Sequence, residues 1–301
     1  MTKNKAYILM DVGGTFIKSG LTTVDGNLID GTQNTVGIDS DGSKEEIINS
    51  LTTAVRQGID LADNHAYTLA GIGICMPGPF NYFTGVSKMV HKFKAILDLS
   101  LMDLIHEIEE LDQIPVVFGH DVNTQLLGEM VGGNAKGEKN VCLVSLGTGL
   151  GFAMAKDGKV LMNDQGSPAI SIWNRPYGDR ILEDFASKRG FYNTWEMVTG
   201  LRPSEDMTVA MMGAMASEGD ETALEVFRRV GEFIGKTIKP ILAEQQTACL
   251  LFGGQISRSF RFMEDAVRHE LNGLTDLQII TTVSDFSNAA FKGLADMIKK
   301  A

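Results

Sequence analysis

Two short glycine-threonine turns, each directly after an apolar run typical of a strand, constrain the fold of this chain more than any other feature. The first is Gly13-Gly14-Thr15, with Asp11 before it, and the second is Gly147-Thr148-Gly149. A glycine-rich turn that leaves a strand lets backbone N–H groups approach a phosphate, since no Cβ intervenes. Either turn alone could be an ordinary connection, because glycine makes up 33 of 301 residues. Together they predict two halves that grip one polyphosphate.

The size and composition of the chain predict two ordinary domains. The 301 residues, 44% of them hydrophobic, suffice for two cores. Cys75, Cys142 and Cys249 are odd in number and lie in apolar contexts, which favours reduced core thiols over disulfides or a metal site. No apolar stretch approaches the ~18 residues needed to cross a bilayer, and no apolar signal core follows Met1–Lys5. A cytoplasmic location without a membrane partner is therefore expected.

The net charge of −11 opposes nonspecific binding to nucleic acid or anionic lipid, because both repel the chain at long range. A polyanionic substrate would then need a local positive site. Turn or helix amides together with Mg²⁺ can supply one without a basic surface. No nucleic-acid partner is expected.

The periodicity of the apolar residues predicts the same plan of hairpin, helices and strand in both halves. In the first half we expect strands at residues 6–10, 16–22, 69–75 and 115–118, a third antiparallel strand after Asp25-Gly26, and helices at 43–62, 97–111 and 124–130. In the second half we expect strands at 141–146, 151–155, 159–162 and 248–252, and helices at about 179–188, 206–217, 221–244, 260–271 and 287–300. Pro240 should kink or shorten the long helix.

Five motifs occur in an order and spacing that strongly resemble the ROK family of sugar kinases, over nearly the whole chain. The motifs are Asp11-Val12-Gly13-Gly14-Thr15, Gly71–Pro79, His120-Asp121-Val122-Asn123 with Leu127-Gly128-Glu129, Gly147–Gly151, and Leu251-Phe252-Gly253-Gly254 with Ile256-Ser257. The sequences Asp121-Val122-Asn123 and Gly149–Ala153 also resemble those of the D-allose kinase branch of the family.

The resemblance implies the fold class: an α/β, two-domain actin-like ATPase (ribonuclease H-like) fold, with mixed sheets flanked by helices and a cleft between the domains. We expect residues 1–119 and 285–301 to form an N-terminal sugar and phosphate domain, and residues 120–284 a C-terminal nucleotide-binding domain. The final helix would then cross back to the first domain.

The resemblance also assigns residues to ATP and Mg²⁺. The residues that match the first phosphate loop, the second phosphate loop and the adenosine site are, in that order, Asp11, Gly13, Gly14 and Thr15; Gly147, Thr148 and Gly149; Gly253 and Gly254. Asp11 would lie near Mg²⁺. The family's usual third glycine at the adenosine site is Gln255 here. Lys18 could add a positive contact to the phosphates or could be a solvated hairpin lysine.

Asp121 is the predicted catalytic base. A carboxylate that is hydrogen-bonded to a sugar hydroxyl can accept its proton as the oxygen attacks the γ-phosphate, which is general-base catalysis. Position alone leaves a second interpretation open, because Asp121 could equally cap the helix that follows. The family match favours the functional role.

The chain departs from the family pattern after the second phosphate loop. Residues 156–190 contain neither His nor Cys, so the ligands of the family's structural zinc site are missing. The family's Glu-x-Gly-His segment, which supplies a Glu and a His to sugar hydroxyls, is replaced by Gly166–Asn174. A hydroxyl left without a buried partner costs about 1–3 kcal/mol, enough to change the preferred sugar.

The resemblance implies sugar contacts from Gly78, His120, Asp121 and Glu183. His120 stands where the family has Asn. A neutral imidazole can still donate one hydrogen bond or accept one. Asn174, Arg175 and Asp179 could replace the lost contacts or could belong to a reshaped loop. No role is assigned to His91 or Lys92.

The sequence therefore predicts an ATP- and Mg²⁺-dependent kinase that transfers the γ-phosphate to a hydroxyl of a hexose or related sugar, and whose relatives are commonly homodimers. The alternative is a degenerate ROK sugar sensor that binds sugar without turnover. A ROK repressor is not expected, because it requires an N-terminal helix-turn-helix and only five residues precede the first predicted strand.

Overall fold

The computed structural model describes residues 4–301, so the expectation about a signal core falls partly outside the described residues. Up to residue 132 the elements are β1 (Lys5–Val12), β2 (Phe16–Thr23), β3 (Asn34–Gly37), α1 (Lys44–Asn64), β4 (Thr68–Met76), β5 (Phe80–Asn81), β6 (Val86–Ser87), α2 (Leu101–His106), β7 (Val116–His120) and α3 (Asp121–Gly132). From residue 133 they are β8 (Val141–Leu146), β9 (Leu150–Lys156), β10 (Lys159–Val160), β11 (Pro176–Tyr177), β12 (Arg180–Ile181), α4 (Lys188–Thr199), α5 (Val209–Ser217), α6 (Glu221–Glu244), β13 (Cys249–Gly253), α7 (Glu264–Leu271), β14 (Ile279–Thr282) and α8 (Ala289–Lys300). Short 3-10 helices span Lys94–Ile96, Glu109–Leu111, Leu182–Asp184 and Gln255–Phe262.

The chain forms two compact units. Unit 1 comprises the residues up to Gly132, with Met162–Pro168 and Ser287–Ala301, and unit 2 comprises Gly133–Leu161 and Ala169–Phe286. Helix α3 lies in unit 1 because it packs along α8. The units divide the chain at other points than the predicted domains 1–119 with 285–301 and 120–284, which stay a prediction.

The sheet of unit 1 has the strand order β3-β2-β1-β4-β7. Strands β1, β2 and β3 are antiparallel, as predicted, whereas β4 and β7 run parallel to β1. Alternate residues of β1 are buried in clusters on opposite faces: Ile8 lies with residues of α1, and Leu9 with residues of α8. Burial on both faces explains why β1 is an unbroken apolar run.

Local sequence signals set the ends of several elements. The predicted capping box at Ser43 is present, since the side chain of Ser43 accepts from the backbone of Glu46 while Glu46 Oε2 accepts from the backbone of Ser43. Helix α1 therefore begins where the sequence predicted.

Helices α3 and α8 approach closely through glycine. A Cβ added at Gly128 would lie 1.8 Å from the carbonyl oxygen of Ala289, and one at Gly293 would lie 2.0 Å from that of Thr124. Because neither position can hold a side chain, the two backbones touch, and this contact fixes the helix that begins at Asp121.

The sheet of unit 2 repeats the plan, with the order β10-β9-β8-β13-β14. Three antiparallel strands are followed by two that run parallel to β8. Val144 and Phe252 of this sheet belong to the same buried cluster as Phe227 and Ile234 of α6. The repeat predicted from the sequence is confirmed.

Two predicted helices are wrong. Residues 97–111 form no continuous helix, since Asp98 has a φ of +62° and Ile108 is extended, which leaves α2 between two 3-10 turns. Residues 179–188 form β12 and a 3-10 turn, because Arg180–Ile181 turns back at Gly178 (φ +63°) to pair with Pro176–Tyr177. Apolar spacing alone did not reveal these local backbone reversals.

Two other expectations need smaller corrections. Pro240 lies inside α6 and does not shorten it, since the helix continues to Glu244, and the kink stays a prediction. The segment predicted as one helix over 260–271 begins as the 3-10 helix Gln255–Phe262 and becomes α7 at Glu264.

Cys75, Cys142 and Cys249 are buried, as predicted for core thiols. Burial raises the pKa of Cys75 and of Cys142. Within residues 4–301, none of the helices is both long and apolar enough to cross a bilayer.

Candidate functional site

Three predicted site segments of unit 1 follow the carboxyl ends of neighbouring parallel strands. Asp11 lies near the end of β1, Gly78 follows β4, and Asp121 follows β7. The register pairs Asp11 with Cys75, and Met76 with His120. Because the carboxyl ends of parallel strands meet at one edge of a sheet, segments more than 100 residues apart are brought together there.

Asp121 is oriented through one of its two carboxylate oxygens. Its Oδ1 accepts a hydrogen bond from the N–H of Val122 at 2.7 Å and lies 2.7 Å from Nδ1 of His120, although the angles of the histidine contact are not those of a hydrogen bond. Oδ2 has no hydrogen-bond partner among residues 4–301. One oxygen is thus free to accept a proton.

Opposing influences act on the pKa of Asp121. Desolvation by the surrounding protein is the largest and raises it, whereas contact with His120, the charge of that residue and the N–H of Val122 lower it. The lowering influences together prevail, so the pKa of Asp121 lies below its usual value. Asp121 is therefore a carboxylate at neutral pH, although its side chain is 64% exposed to solvent.

His120 is held between Asp121 and an aromatic ring. The ring of Tyr82 meets the imidazole edge-on, with centroids 5.6 Å apart, and the Tyr82 hydroxyl donates to the carbonyl of Met76 at 2.9 Å. A Cβ at Gly78 would lie 3.4 Å from that hydroxyl and 3.7 Å from the imidazole. Gly78, Tyr82 and His120 therefore form one wall beside Asp121.

Asp11 is an unusually weak acid for a carboxyl. Desolvation by surrounding protein, followed by the negative charge of Asp121, raises its pKa to about 6, and Lys18 opposes this rise. The Asp11 side chain is nevertheless exposed, so its desolvation is only partial. Lys18 stands opposite Asp11 in the β1–β2 pairing, and whether it contacts the phosphates or is a solvated hairpin lysine stays a prediction.

The first glycine turn closes on itself and on Ser40. Gly13 N–H donates to the carbonyl of Phe16 at 2.9 Å, and Ser40 N–H donates to the carbonyl of Gly14 at 3.0 Å. A Cβ at Gly14 would lie 3.4 Å from the Ser40 hydroxyl. Thr15 follows on the exposed side of the turn.

The segment after Asp121 is anchored by buried polar side chains. Thr124 donates to the carbonyls of His120 or Asp121, at 3.0 and 2.9 Å, and its hydroxyl lies 3.0 Å from the thiol of Cys75. Asn123 donates to the carbonyl of Gly166 at 3.1 Å, while its own carbonyl oxygen is buried without a partner. These contacts hold the start of α3 in place.

In unit 2 the two remaining glycine motifs also follow neighbouring parallel strands. Gly147–Gly149 follows β8, Gly254 follows β13, and Ser145 of β8 pairs with Gly253 of β13. Gly254 has a φ of +78°, and a Cβ there would lie 2.2 Å from the carbonyl oxygen of Leu146. Only glycine fits this close approach.

These motifs border one pocket of about 470 Å³ that lies within unit 2. Its lining includes Gly147, Thr148, Lys188, Gln255, Arg258 and Arg261. None of the described lining residues is acidic, and three are cationic, in a chain whose net charge is −11. Nothing lies within 4 Å of the Cβ position of Gly147, so there is room for a ligand beside the turn, although the Gly147 N–H donates to Gly149 and its carbonyl accepts from Lys188. The size and charge of the pocket fit a nucleotide.

The sequence pattern of the ROK family matches residues 7–169 and 179–299. The chain belongs to the ROK family. This confirms the family predicted from the five motifs.

ROK relatives of two kinds are similar to the chain. A glucokinase of Halalkalibacterium halodurans is 27% identical over 84% of this chain and 81% of its own length. The DNA-binding transcriptional dual regulator NagC of Escherichia coli K12 is 22% identical over 86% of this chain and 67% of its own length. A crystal structure of a ROK family glucokinase from Streptomyces griseus, in complex with glucose and AMPPNP, superposes with a TM-score of 0.79 at 19% identity, covering 98% of this chain and all of that one. The chain has the predicted actin-like ATPase fold, and its relatives include both kinases and a regulator.

Glu183, for which the ROK resemblance implies a sugar contact, is engaged with the second glycine turn in unit 2. Its Oε2 accepts from the N–H of Leu150 at 3.0 Å and would lie 2.8 Å from a Cβ at Gly149, while Oε1 lies 3.4 Å from Arg189. Glu183 therefore braces this turn, and the sugar contact stays a prediction.

The segment that departs from the ROK pattern makes mostly local contacts. The guanidinium of Arg175 donates to the carbonyl of Ser171 at 3.0 Å, and Asn174 and Asp179 are exposed. The idea that these residues replace the lost sugar contacts stays a prediction.

Sequence reasoning missed Tyr82, Arg258 and Arg261. Tyr82 reaches His120 from a turn that carries no motif, and its pKa is raised, first by burial and then by Asp121. The two arginines fall three residues apart on the 3-10 helix that begins at Gln255, so a basic pair on the helix after the Gly-Gly motif was the signal available.

Proposed function

We propose that this ROK family member is an ATP-dependent carbohydrate kinase that transfers the γ-phosphate to a hydroxyl of a hexose or related sugar. The observation that carries the proposal is the placement of Asp11 and Asp121 at one edge of the unit 1 sheet, with Oδ2 of Asp121 free. Glucokinases among the relatives support the same reaction.

Asp121 serves as the general base. Its Oδ1 is occupied by Val122 and lies against His120, which fixes the carboxylate plane, and Oδ2 accepts the proton of the sugar hydroxyl. A positioned carboxylate of this kind contributes about 10²- to 10⁴-fold to the rate. The depressed pKa keeps it ionised at neutral pH.

ATP and Mg²⁺ fit the residues present. The pocket of unit 2 offers free space beside Gly147 and three cationic side chains to a nucleotide. Asp11 would hold Mg²⁺, because a cation relieves the repulsion between Asp11 and Asp121 that helps to raise the Asp11 pKa. The metal, when bound, neutralises charge on the phosphates. Gly13, Gly14 and Thr15 would face the terminal phosphate.

The second candidate is a sugar sensor without turnover. It is favoured by the replaced Glu-x-Gly-His segment and by the relatives that are regulators. Such a protein would bind a sugar and release no ADP.

The test is ADP release from ATP, measured over a panel of hexoses, amino sugars and polyols. We expect one group of related sugars to stimulate ADP release and to become phosphorylated. Sugar binding by calorimetry without ADP release from any panel member would support the sensor instead.

A further inference from the structure

Lys92 lies against the first glycine turn. Its Nζ would be 3.8 Å from a Cβ at Gly14, about as far away as the Ser40 side chain on the same side. Because Gly14 has no side chain, the space between the ammonium group and the turn is left open. Lys92 comes from a distant loop whose sequence predicted no role for it.

The backbone next to Lys92 is fixed, although its side chain is exposed. The N–H of Phe93 donates to the carbonyl of Ser40 at 2.7 Å, and Ser40 in turn donates to Gly14. The ring of Phe93 is fully buried, and its φ is +51°, a left-handed conformation that a bulky residue rarely adopts. Backbone strain of this kind persists only where the surroundings hold it, and it is concentrated at functional sites.

The charge of Lys92 is unpaired. Within residues 4–301 it forms no ion pair, whereas Lys88 in the same loop pairs with Asp98 at 2.7 Å. Lys18 brings a second positive charge to the neighbouring strand pair, opposite Asp11. An ammonium group that lies free beside a glycine turn in an acidic chain is suited to bind an anion.

We propose that Lys92 is a phosphate-binding residue that contacts the terminal phosphate of the phosphoryl donor at the Gly13-Gly14-Thr15 turn. This rests on the proposed function, because it is the donor's last phosphate that must be held next to Asp121 and the acceptor hydroxyl. A charged contact made only by that phosphate would favour ATP over ADP and would align the group that is transferred.

The test compares two ligands in the full chain by calorimetry, the non-hydrolysable triphosphate analogue AMPPNP and ADP, each with Mg²⁺. In Lys92→Ala the dissociation constant of AMPPNP should rise about 10- to 100-fold, the range of a lost hydrogen bond to a charged group, while that of ADP should change less than about twofold. Lys92→Arg should restore most of the AMPPNP affinity. Lys94→Ala, an exposed lysine two residues away, is the matched control and should bind as the wild type does.

The result is independent of turnover. If no sugar is phosphorylated but Lys92→Ala still loses AMPPNP affinity selectively, the kinase proposal fails and the phosphate site stands. An equal loss for ADP and AMPPNP, or the same AMPPNP affinity in Lys92→Ala and Lys94→Ala, would overturn the assignment. So would a defect confined to the KM of anionic sugars, which would place Lys92 at the acceptor.

Discussion

At the scale of single residues, the candidate site depends on two carboxyl groups whose pKa values are moved in opposite directions. The pKa of Asp11 is raised to about 6, and the pKa of Asp121 is lowered. Such a separation fits the proposed roles, in which Asp121 stays ionised as the base and Asp11, destabilised as an anion, would receive a cation.

The raised pKa of Asp11 predicts a stability that depends on pH. The carboxyl ionises near its usual pH in the unfolded chain but only at about 6 in the folded one, so the stability gained from its neutral form is lost as pH rises through about 6. Asp11→Asn should therefore raise the free energy of unfolding at pH 8 by about 1 kcal/mol or less, since solvent screens an exposed group, and should leave it unchanged at pH 4.

Urea unfolding of the metal-free protein at the two pH values measures this difference. Asp30→Asn, an exposed carboxyl in the connection between β2 and β3, is the control. An Asp11→Asn protein that is less stable than the wild type at pH 8 would contradict the raised pKa.

The contact with His120 leads to a prediction about the pKa of Asp121. In His120→Asn the influences that lower the pKa of Asp121 are reduced while the desolvation that raises it remains, so the pKa of Asp121 should rise. Titration of the labelled Asp121 carboxyl by ¹³C NMR measures it directly, with the exposed His65→Asn as control. An unchanged midpoint would mean that His120 does not act on Asp121.

At the scale of secondary-structure elements, helix packing positions the proposed base. Asp121 is the first residue of α3, whose backbone meets α8 at Gly128. The element that carries Asp121 is thus set by a contact about two turns away, which places the carboxylate at the end of β7.

Gly128→Ala should destabilise the protein by about 3 kcal/mol, because the added methyl group would overlap the backbone of Ala289 and push α8 away. Gly132→Ala on the same helix is a matched control, since its methyl group would meet only the flexible side chain of Lys292, at 3.5 Å. Thermal and urea unfolding measure both variants. Equal stability of the two would show that α3 and α8 do not touch as described.

The predictability of the elements follows from the range of the interactions that form them. Helix α1 and strand β8 were predicted nearly to the residue, because a capping box and an unbroken apolar run are local signals. The prediction of a helix over 97–111 was wrong because Asp98 adopts a left-handed conformation that its residue type does not indicate. Helix α4 was not predicted. The hairpin of β11 and β12 occupies the segment predicted as a helix over 179–188, and α4 begins only at Lys188.

At the scale of the whole molecule, the repeated five-stranded plan explains which parts of the site the sequence predicted. Asp11 lies near the end of a strand, and Asp121, Gly147 and Gly254 each follow one, so motif and topology coincide at these four residues. Tyr82 and Lys92 escaped prediction because loops without a motif bring them to the strand ends, and such proximity depends on the folded chain.

The residues with proposed roles are distributed over both units. The cationic pocket lies in unit 2, whereas the two carboxylates and Lys92 lie in unit 1. Because the proposed partner of Asp121 is the sugar hydroxyl and not the nucleotide, we expect substitutions at Asp121 to leave nucleotide affinity intact. The predicted homodimer stays a prediction.

The central claim is that Asp121 removes the proton from the hydroxyl that attacks the γ-phosphate, and the rate of sugar phosphate formation by Asp121→Asn tests it most directly. With a sugar that the wild type phosphorylates, kcat should fall by about 10²- to 10⁴-fold while AMPPNP affinity stays within about twofold of the wild type. An Asp121→Asn protein that forms sugar phosphate at the wild-type rate would contradict the account.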